Sequence, residues 1–167
     1  MSSIVELPIR ASYRVADGLL AGAYPGPPDA DAADRRPRTS DRDVTVFVDL
    51  THPADGLEPY DRLLGDGARR IAHPIVDMGT TTIPHMSRIL DDVDAALAEG
   101  HTIYVHCLGG VGRTGTVVGC WLMRHGLDDG DPLGRIATLR QDLELAWLSS
   151  PETSAQRAMV TEWKRGR

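Results

Sequence analysis

The stretch Val105 to Gly115, VHCLGGVGRTG, admits two readings that predict different proteins. Gly110, Gly112 and Gly115 spell G-x-G-x-x-G, a hint of dinucleotide binding. Cys107 and Arg113 stand six positions apart, as a cysteine nucleophile and a clamp for an oxyanion would on either side of a tight loop.

The flanks decide between them. TIYVHC, Thr102 to Cys107, reads as a buried strand, and TGTVVGCWLMRHG continues from the loop as a mostly apolar helix stopped by Gly126. A dinucleotide fold would follow with a strand ending in an acidic residue for the ribose. Here LDDGDPLGRI follows and turns helical, leaving too little chain for the missing half of a sheet. A phosphate loop of the G-x-x-x-x-G-K-[ST] kind also fails, because no lysine stands at its place.

The cysteine reading uses more of the residues. A strand, a glycine turn and a helix opening at Arg113 would bring backbone N–H groups and the positive helix end together where Sγ points. Such surroundings lower a thiol pKa from about 8.5 to about 3.5–7.5 and make the thiolate available. Leu108, Gly109, Gly110, Val111 and Gly112 would then bind the substrate anion through their backbone. Arg113 would grip two of its oxygens with a planar fork, and Thr114 would offer a hydroxyl to the sulfur when it departs.

Outward from this loop the periodicity gives alternating strands and helices. YRVADGLLAGAYPGPP predicts a hairpin around Ala16, Asp17 and Gly18; VTVFVDL, Val44 to Leu50, a buried strand; and RRIAHPIVD a strand from Arg69 to Asp77. Apolar residues at helical spacing from Met86 to Leu97 predict a helix between Pro84 and Gly100. Two more helices are expected, DPLGRIATLRQDLE with Pro132 in its first turn and SPETSAQRAMVTEWKR capped by Ser150. The fold class is α/β, a mainly parallel central sheet flanked by helices, with residues 1–167 as one domain. Ligands in such sheets bind beyond the carboxyl ends of the strands, which selects Asp49 to His52, Asp77 to Thr82 and Cys107 to Gly112.

Composition narrows the function. A net charge of −6 and a pI near 5.4 argue against a nucleic-acid partner, although DRRPR, Asp34 to Arg38, could recruit an anion. Two cysteines without a framework spacing, no leader-like N-terminus and no long apolar run predict a cytoplasmic protein without membrane insertion. The six histidines form no metal-binding pattern, so no metal and no cofactor are expected. Cys120, among Val117, Val118, Trp121 and Leu122, reads as core, and Asp91 and Asp92 as ordinary helix surface.

HCLGGVGRTG resembles the H-C-x5-R-[ST]-G signature of the protein-tyrosine phosphatase superfamily, and the short chain resembles its small, atypical dual-specificity members. DGLLAGAYPG, PIVDMGTTTIP and SPETSAQ extend the resemblance over most of the chain. The resemblance implies a phosphomonoester hydrolase working through a phosphocysteine on Cys107, on phosphotyrosine or phosphoserine/threonine proteins or a small phosphomonoester. It implies that His106 orders the loop and supports Asp77, first residue of a glycine- and threonine-rich loop, as general acid. In tyrosine phosphatases of this superfamily a glutamine places the hydrolytic water, a role open to Gln156. Uncharged residues inside the loop favour such substrates over phosphoinositides; a phosphoinositide or metabolite phosphatase, arsenate reduction, and a phosphate-binding module without turnover stay as alternatives.

Overall fold

The computed structural model describes residues 11–26 and 44–167. The basic run at Asp34 to Arg38 lies outside the described residues. Element order is β1 (Tyr13–Ala16), β2 (Leu19–Gly22), β3 (Val46–Asp49), β4 (Arg69–Ala72), α1 (Ile83–Ala98), β5 (Ile103–His106), α2 (Gly112–His125), α3 (Pro132–Leu139) and α4 (Ser154–Glu162). The five strands form one sheet in the order β1-β2-β5-β3-β4. Only the β1–β2 hairpin is antiparallel, closed at Asp17 and Gly18 where φ reaches +75°. The remaining pairs are parallel, with Gly22 and Asp49 flanking His106. Strand β5 is thus central, and the residue after it emerges between two neighbouring strand ends.

Alternation along the strands sorts side chains into two cores. Val46, Val48, Ile103 and Val105 face the larger one, with Leu19 and Ala21, and all four helices contribute to it. Phe47, Tyr104 and Leu20 point to the opposite face, where Val44 and Tyr60 complete a smaller cluster. Helix α1 buries Met86, Ile89, Leu90, Val93 and Ala96, the stripe expected from the sequence, and Thr82 caps it by accepting the His85 N–H. Helix α2 is buried along almost its whole length from Gly112 to Leu122 and ends at Gly126, φ +65°. Among the described residues no helix is long and apolar enough to cross a membrane.

Three predicted boundaries move. The strand expected to reach Asp77 ends at Ala72. Pro74 has no N–H for a ladder. The chain still follows the exit of β3, His73 N–H donating to the Asp49 carbonyl at 2.8 Å and Ile75 N–H to the Leu50 carbonyl at 3.1 Å, but Asp77 sits in a turn. Helix α3 stops at Leu139 because Arg140, itself buried, donates to the Leu148 carbonyl at 3.0 Å and organises an irregular segment. Helix α4 is capped by Thr153, which forms a capping box with Gln156. Ser150 instead donates its hydroxyl to the Val111 carbonyl at 2.6 Å.

Helices α2 and α4 approach closely at Gly119, where a Cβ would lie 2.6 Å from both methyl carbons of Val160. Gly119→Ala should therefore cost about 1–3 kcal/mol by forcing the helices apart, read as a lower urea midpoint with unchanged slope; an unaltered midpoint would show that the contact yields freely.

Candidate active site

The site is assembled around the turn between β5 and α2. Cys107 is 3% exposed, and the Gly110 N–H donates to its Sγ at 3.3 Å. The turn faces this way because its carbonyls are taken up on the outside. Leu108 O accepts from the Tyr24 N–H at 3.0 Å, Val111 O from Ser150, and Gly112 O from the Thr116 hydroxyl at 2.9 Å. With these three carbonyls held outward, the N–H groups across the same peptide planes, on Gly109, Gly112 and Arg113, point the opposite way and are available to an anion. Gly110 has φ +74°, and a Cβ there would stand 2.4 Å from the Gly22 carbonyl carbon, so glycine alone fits.

Arg113, in the first turn of α2, is buried. Its Nη1 donates to Asp55 Oδ2 at 2.7 Å and to the Ile75 carbonyl at 2.9 Å. Nη2 stands 3.3 Å from Asp77 Oδ1, and among the described residues neither Nε nor Nη2 makes a hydrogen bond. One edge of the fork is thereby anchored and the other remains for a ligand. Asp55 is a residue the sequence reading missed. It sits in the short 3-10 helix Pro53–Asp55, where its carboxylate also accepts the His52 N–H at 3.0 Å. Burial alone would raise its pKa; the His52 N–H and the Arg113 guanidinium outweigh that and hold it below the usual carboxylate range. The turn at the end of β3 was visible in DLTHPADG, but which acid faces the arginine is a tertiary fact.

Asp77 lies across the fork from Asp55 with its side chain 61% exposed, accepting the Met78 N–H at 2.9 Å. Met78 has φ +62°, a sharp turn that lifts Asp77 to the rim. Thr114 is fully buried, and its Oγ1 has no hydrogen-bond partner among the described residues.

His106 is sealed beneath the turn. Its Nδ1 lies 3.2 Å from the Cys107 carbonyl, which can only accept, so Nδ1 carries the proton. Nε2 is then the acceptor for the Tyr60 hydroxyl at 2.6 Å. Burial, the main cause, pushes the His106 pKa down to about 4, with Asp49 pulling the other way. Tyr60, with Tyr24 and Tyr104 packed around the imidazole, was not foreseen from sequence.

Gln156 is buried and its carboxamide is engaged at both ends. Oε1 accepts from the N–H groups of Glu152 and Thr153, each at 3.1 Å, while Nε2 donates to the Gly79 carbonyl at 3.0 Å. It thus ties the loop bearing Asp77 to α4, beside Gly112, whose Cβ would meet Oε1 at 3.1 Å. Cys120 is buried in α2, with its thiol pKa pushed up to about 12 by that burial. Among the described residues no group of three or more His, Cys, Asp or Glu converges to hold a metal ion.

Comparison with known proteins identifies the family and the fold. The family model described as "PTP-SAK: Swiss Army Knife protein, DSP-PTPase phosphatase domain" matches residues 30–162. A protein of Invertebrate iridescent virus 3, provisionally named a tyrosine phosphatase, is 33% identical over 121 residues, covering 68% of this chain and 45% of that protein. An uncharacterized protein of Methanocaldococcus jannaschii is 38% identical over 56 residues, 34% of this chain and 38% of its own. The chain therefore spans less than half the length of these relatives. Among solved structures, Tk-PTP in its active form superposes with a TM-score of 0.72 at 22% identity, covering 92% of this chain and 96% of that one. PTPMT1 in complex with PI(5)P gives 0.69 at 19%, covering 92% and 94%. Human DUSP28 gives 0.66 at 20%, covering 92% and 93%. These likenesses establish the fold.

The neutral, buried His106 makes stability depend on pH. An unfolded imidazole takes up a proton near pH 6.5, whereas the folded one resists until about 4. Unfolding free energy should therefore fall as pH drops through that window, by up to about 1.4 kcal/mol per pH unit, and this contribution should level off below it. Urea unfolding of wild type and His106→Gln over the same pH series isolates it; parallel curves would contradict the assignment.

Proposed function

The chain belongs to the DSP-PTPase phosphatase domain family, and we propose that residues 1–167 act as one catalytic domain of the atypical dual-specificity type that hydrolyses phosphomonoesters through a phosphocysteine on Cys107. The observation that carries this reading is the Gly110 N–H donated to Cys107 Sγ, together with Arg113 held by Asp55 on one edge of its fork and facing the exposed carboxyl of Asp77 at 3.3 Å on the other.

In the first step Cys107, as thiolate, attacks phosphorus, and the bond from phosphorus to the leaving oxygen breaks. The N–H groups of Leu108 to Gly112 and the Nε and Nη2 donors of Arg113 hold the equatorial oxygens as charge redistributes. Asp77, protonated, gives its proton to the leaving alkoxide or phenoxide. In the second step water attacks the phosphocysteine, Asp77 takes the proton back, and the thiolate departs toward Thr114, whose unengaged buried hydroxyl is available to it. His106 serves as support for the Cys107 carbonyl and not as a proton carrier, since both ring nitrogens are committed. Gln156 enters as a strut between acid loop and cradle, because its carboxamide is already occupied.

The substrates proposed are phosphotyrosine and phosphoserine/threonine proteins. The cradle from Leu108 to Gly112 has no cationic side chain, and Asp55 and Asp77 flank its arginine, an arrangement that favours a single phosphate over a polyphosphorylated ring. A phosphoinositide such as the PI(5)P bound in the PTPMT1 structure is the comparison ligand of choice.

Aryl phosphates of graded leaving-group acidity, assayed in reducing buffer without added metal, test the scheme. Wild type should turn over and Cys107→Ser should not, although it still binds phosphate analogues. Asp77→Asn should lose about 10²- to 10⁴-fold in kcat with poor leaving groups, and much less with acidic ones. Turnover surviving in Cys107→Ser, or an Asp77→Asn deficit independent of the leaving group, would refute it. Faster hydrolysis of the inositide than of phosphopeptides would reverse the substrate assignment.

A further inference from the structure

Two histidines bracket the loop that carries Asp77. His73 follows β4, and His85 lies in the first turn of α1, so the whole segment 74–82 hangs between them. Their side chains meet. His73 Nδ1 is 3.2 Å from His85 Nε2, with ring centroids 5.3 Å apart. Asp92, from the next turns of α1, lies 2.7 Å from His73 Nε2, and the Thr81 hydroxyl 2.6 Å from His85 Nδ1. Asp92 is therefore not the plain helix surface expected from sequence. Both ends are also fixed through the backbone, by the His73 N–H on the Asp49 carbonyl and the His85 N–H on Thr82 Oγ1.

We propose that His73 and His85 are positioning residues for the general acid: their mutual hydrogen bond clasps the base of the Asp77 loop, and it tolerates one added proton but not two. The inference rests on the reading of Asp77 as that acid. Counting protons along the chain carries it. The Asp92 carboxylate only accepts, so His73 Nε2 bears hydrogen. With both rings neutral, His73 Nδ1 accepts from His85 Nε2–H, and His85 Nδ1 accepts from the Thr81 hydroxyl. One proton added at His73 Nδ1 reverses the direction. His73 then donates to His85 Nε2, His85 moves its hydrogen to Nδ1 and donates to Thr81, and the positive charge rests beside Asp92. All three bonds survive. A second proton puts N–H against N–H across 3.2 Å, and the clasp opens.

The surroundings oppose that second proton. Burial, the largest cause, with His73 and Arg88 after it, lowers the pKa of His85 from its ordinary value. Other ties hold the same loop: Gln156 on the Gly79 carbonyl, Arg113 on the Ile75 carbonyl, and the Ile75 N–H on the Leu50 carbonyl. None of these depends on an imidazole. The clasp is the element through which acidity would loosen the loop, so kcat should gain an acidic limb unrelated to the ionisation of Asp77 itself.

Imidazole nitrogen NMR of the full chain between about pH 4 and about pH 8, alongside aryl phosphate kinetics, tests this. Both neutral rings should carry hydrogen on Nε2. The pair should titrate in two separated steps, and the amide signals of residues 74–82 should move with the second. In kinetics, kcat should fall with that same second step while KM holds within about twofold. His85→Asn, which cannot titrate, should lack this limb whatever its plateau. His85→Ala should lower kcat about tenfold through a misplaced acid, less with acidic leaving groups. Two rings titrating independently near about pH 6.5, loop amides indifferent to the second step, or an acidic limb retained in His85→Asn would each overturn the proposal. The NMR titration reads the clasp without turnover, so its failure is distinguishable from failure of the phosphatase reading.

Discussion

A buried guanidinium is the constraint around which this fold is arranged. Arg113 cannot sit in the interior unpaired, because stripping its hydration costs several kcal/mol unless carboxylates and carbonyls replace the water. Asp55 and the Ile75 carbonyl meet that demand on one edge of the fork. To do so, the chain after β3 must turn through Pro53–Asp55, and the chain after β4 must leave its ladder early enough for Ile75 to face inward. The early end of β4 and the turn that presents Asp77 thus belong to the same solution as the anchored arginine. Removing Asp55 would leave the guanidinium with only the exposed Asp77 as a carboxylate partner; breaking a buried pair in this way usually costs about 3–5 kcal/mol.

The cradle is held by a second principle, the engagement of four of its carbonyls. Tyr24 and Ser150 reach it from distant parts of the chain, His106 and Thr116 from the flanking strand and helix, and each takes one carbonyl among those of Cys107, Leu108, Val111 and Gly112. The peptide N–H groups opposed to these carbonyls, on Leu108, Gly109, Gly112 and Arg113, point the other way. Because donors are oriented before any substrate arrives, little reorganisation is required when charge develops there. His106 extends the arrangement downward: its fixed tautomer joins the Cys107 carbonyl to Tyr60 in the smaller core.

What the sequence disclosed and what it hid divide along the range of the interactions. Cys107, the glycine turn, Arg113 and Thr114 are contiguous, and strand, turn and helix geometry alone brings them together. The β1–β2 hairpin and α1 are equally local, so turn glycine and apolar spacing sufficed. Asp55, Tyr60, the His73–His85 pair and the Gly79 tie of Gln156 join segments many residues apart, and nothing in their neighbours' identity announces the partner. The end of β4 was misjudged because HPIVD keeps an extended, apolar look after Pro74 has ended the ladder. Ser150 has the chemistry of a helix cap, but Val111 offered its hydroxyl a better acceptor and Thr153 stood closer to the first turn of α4.

In the proposed reaction phosphate passes covalently through Cys107. Rapid acid quench after mixing excess radiolabelled aryl phosphate with the enzyme, followed by peptide mapping, tests it most directly. With an acidic leaving group, a burst of label is expected on the peptide containing Cys107, accumulating further when Asp77 is replaced by Asn and absent when Cys107 is replaced by Ser. Steady turnover with no protein-bound label under conditions that preserve thiophosphate, or label on any other residue, would contradict it.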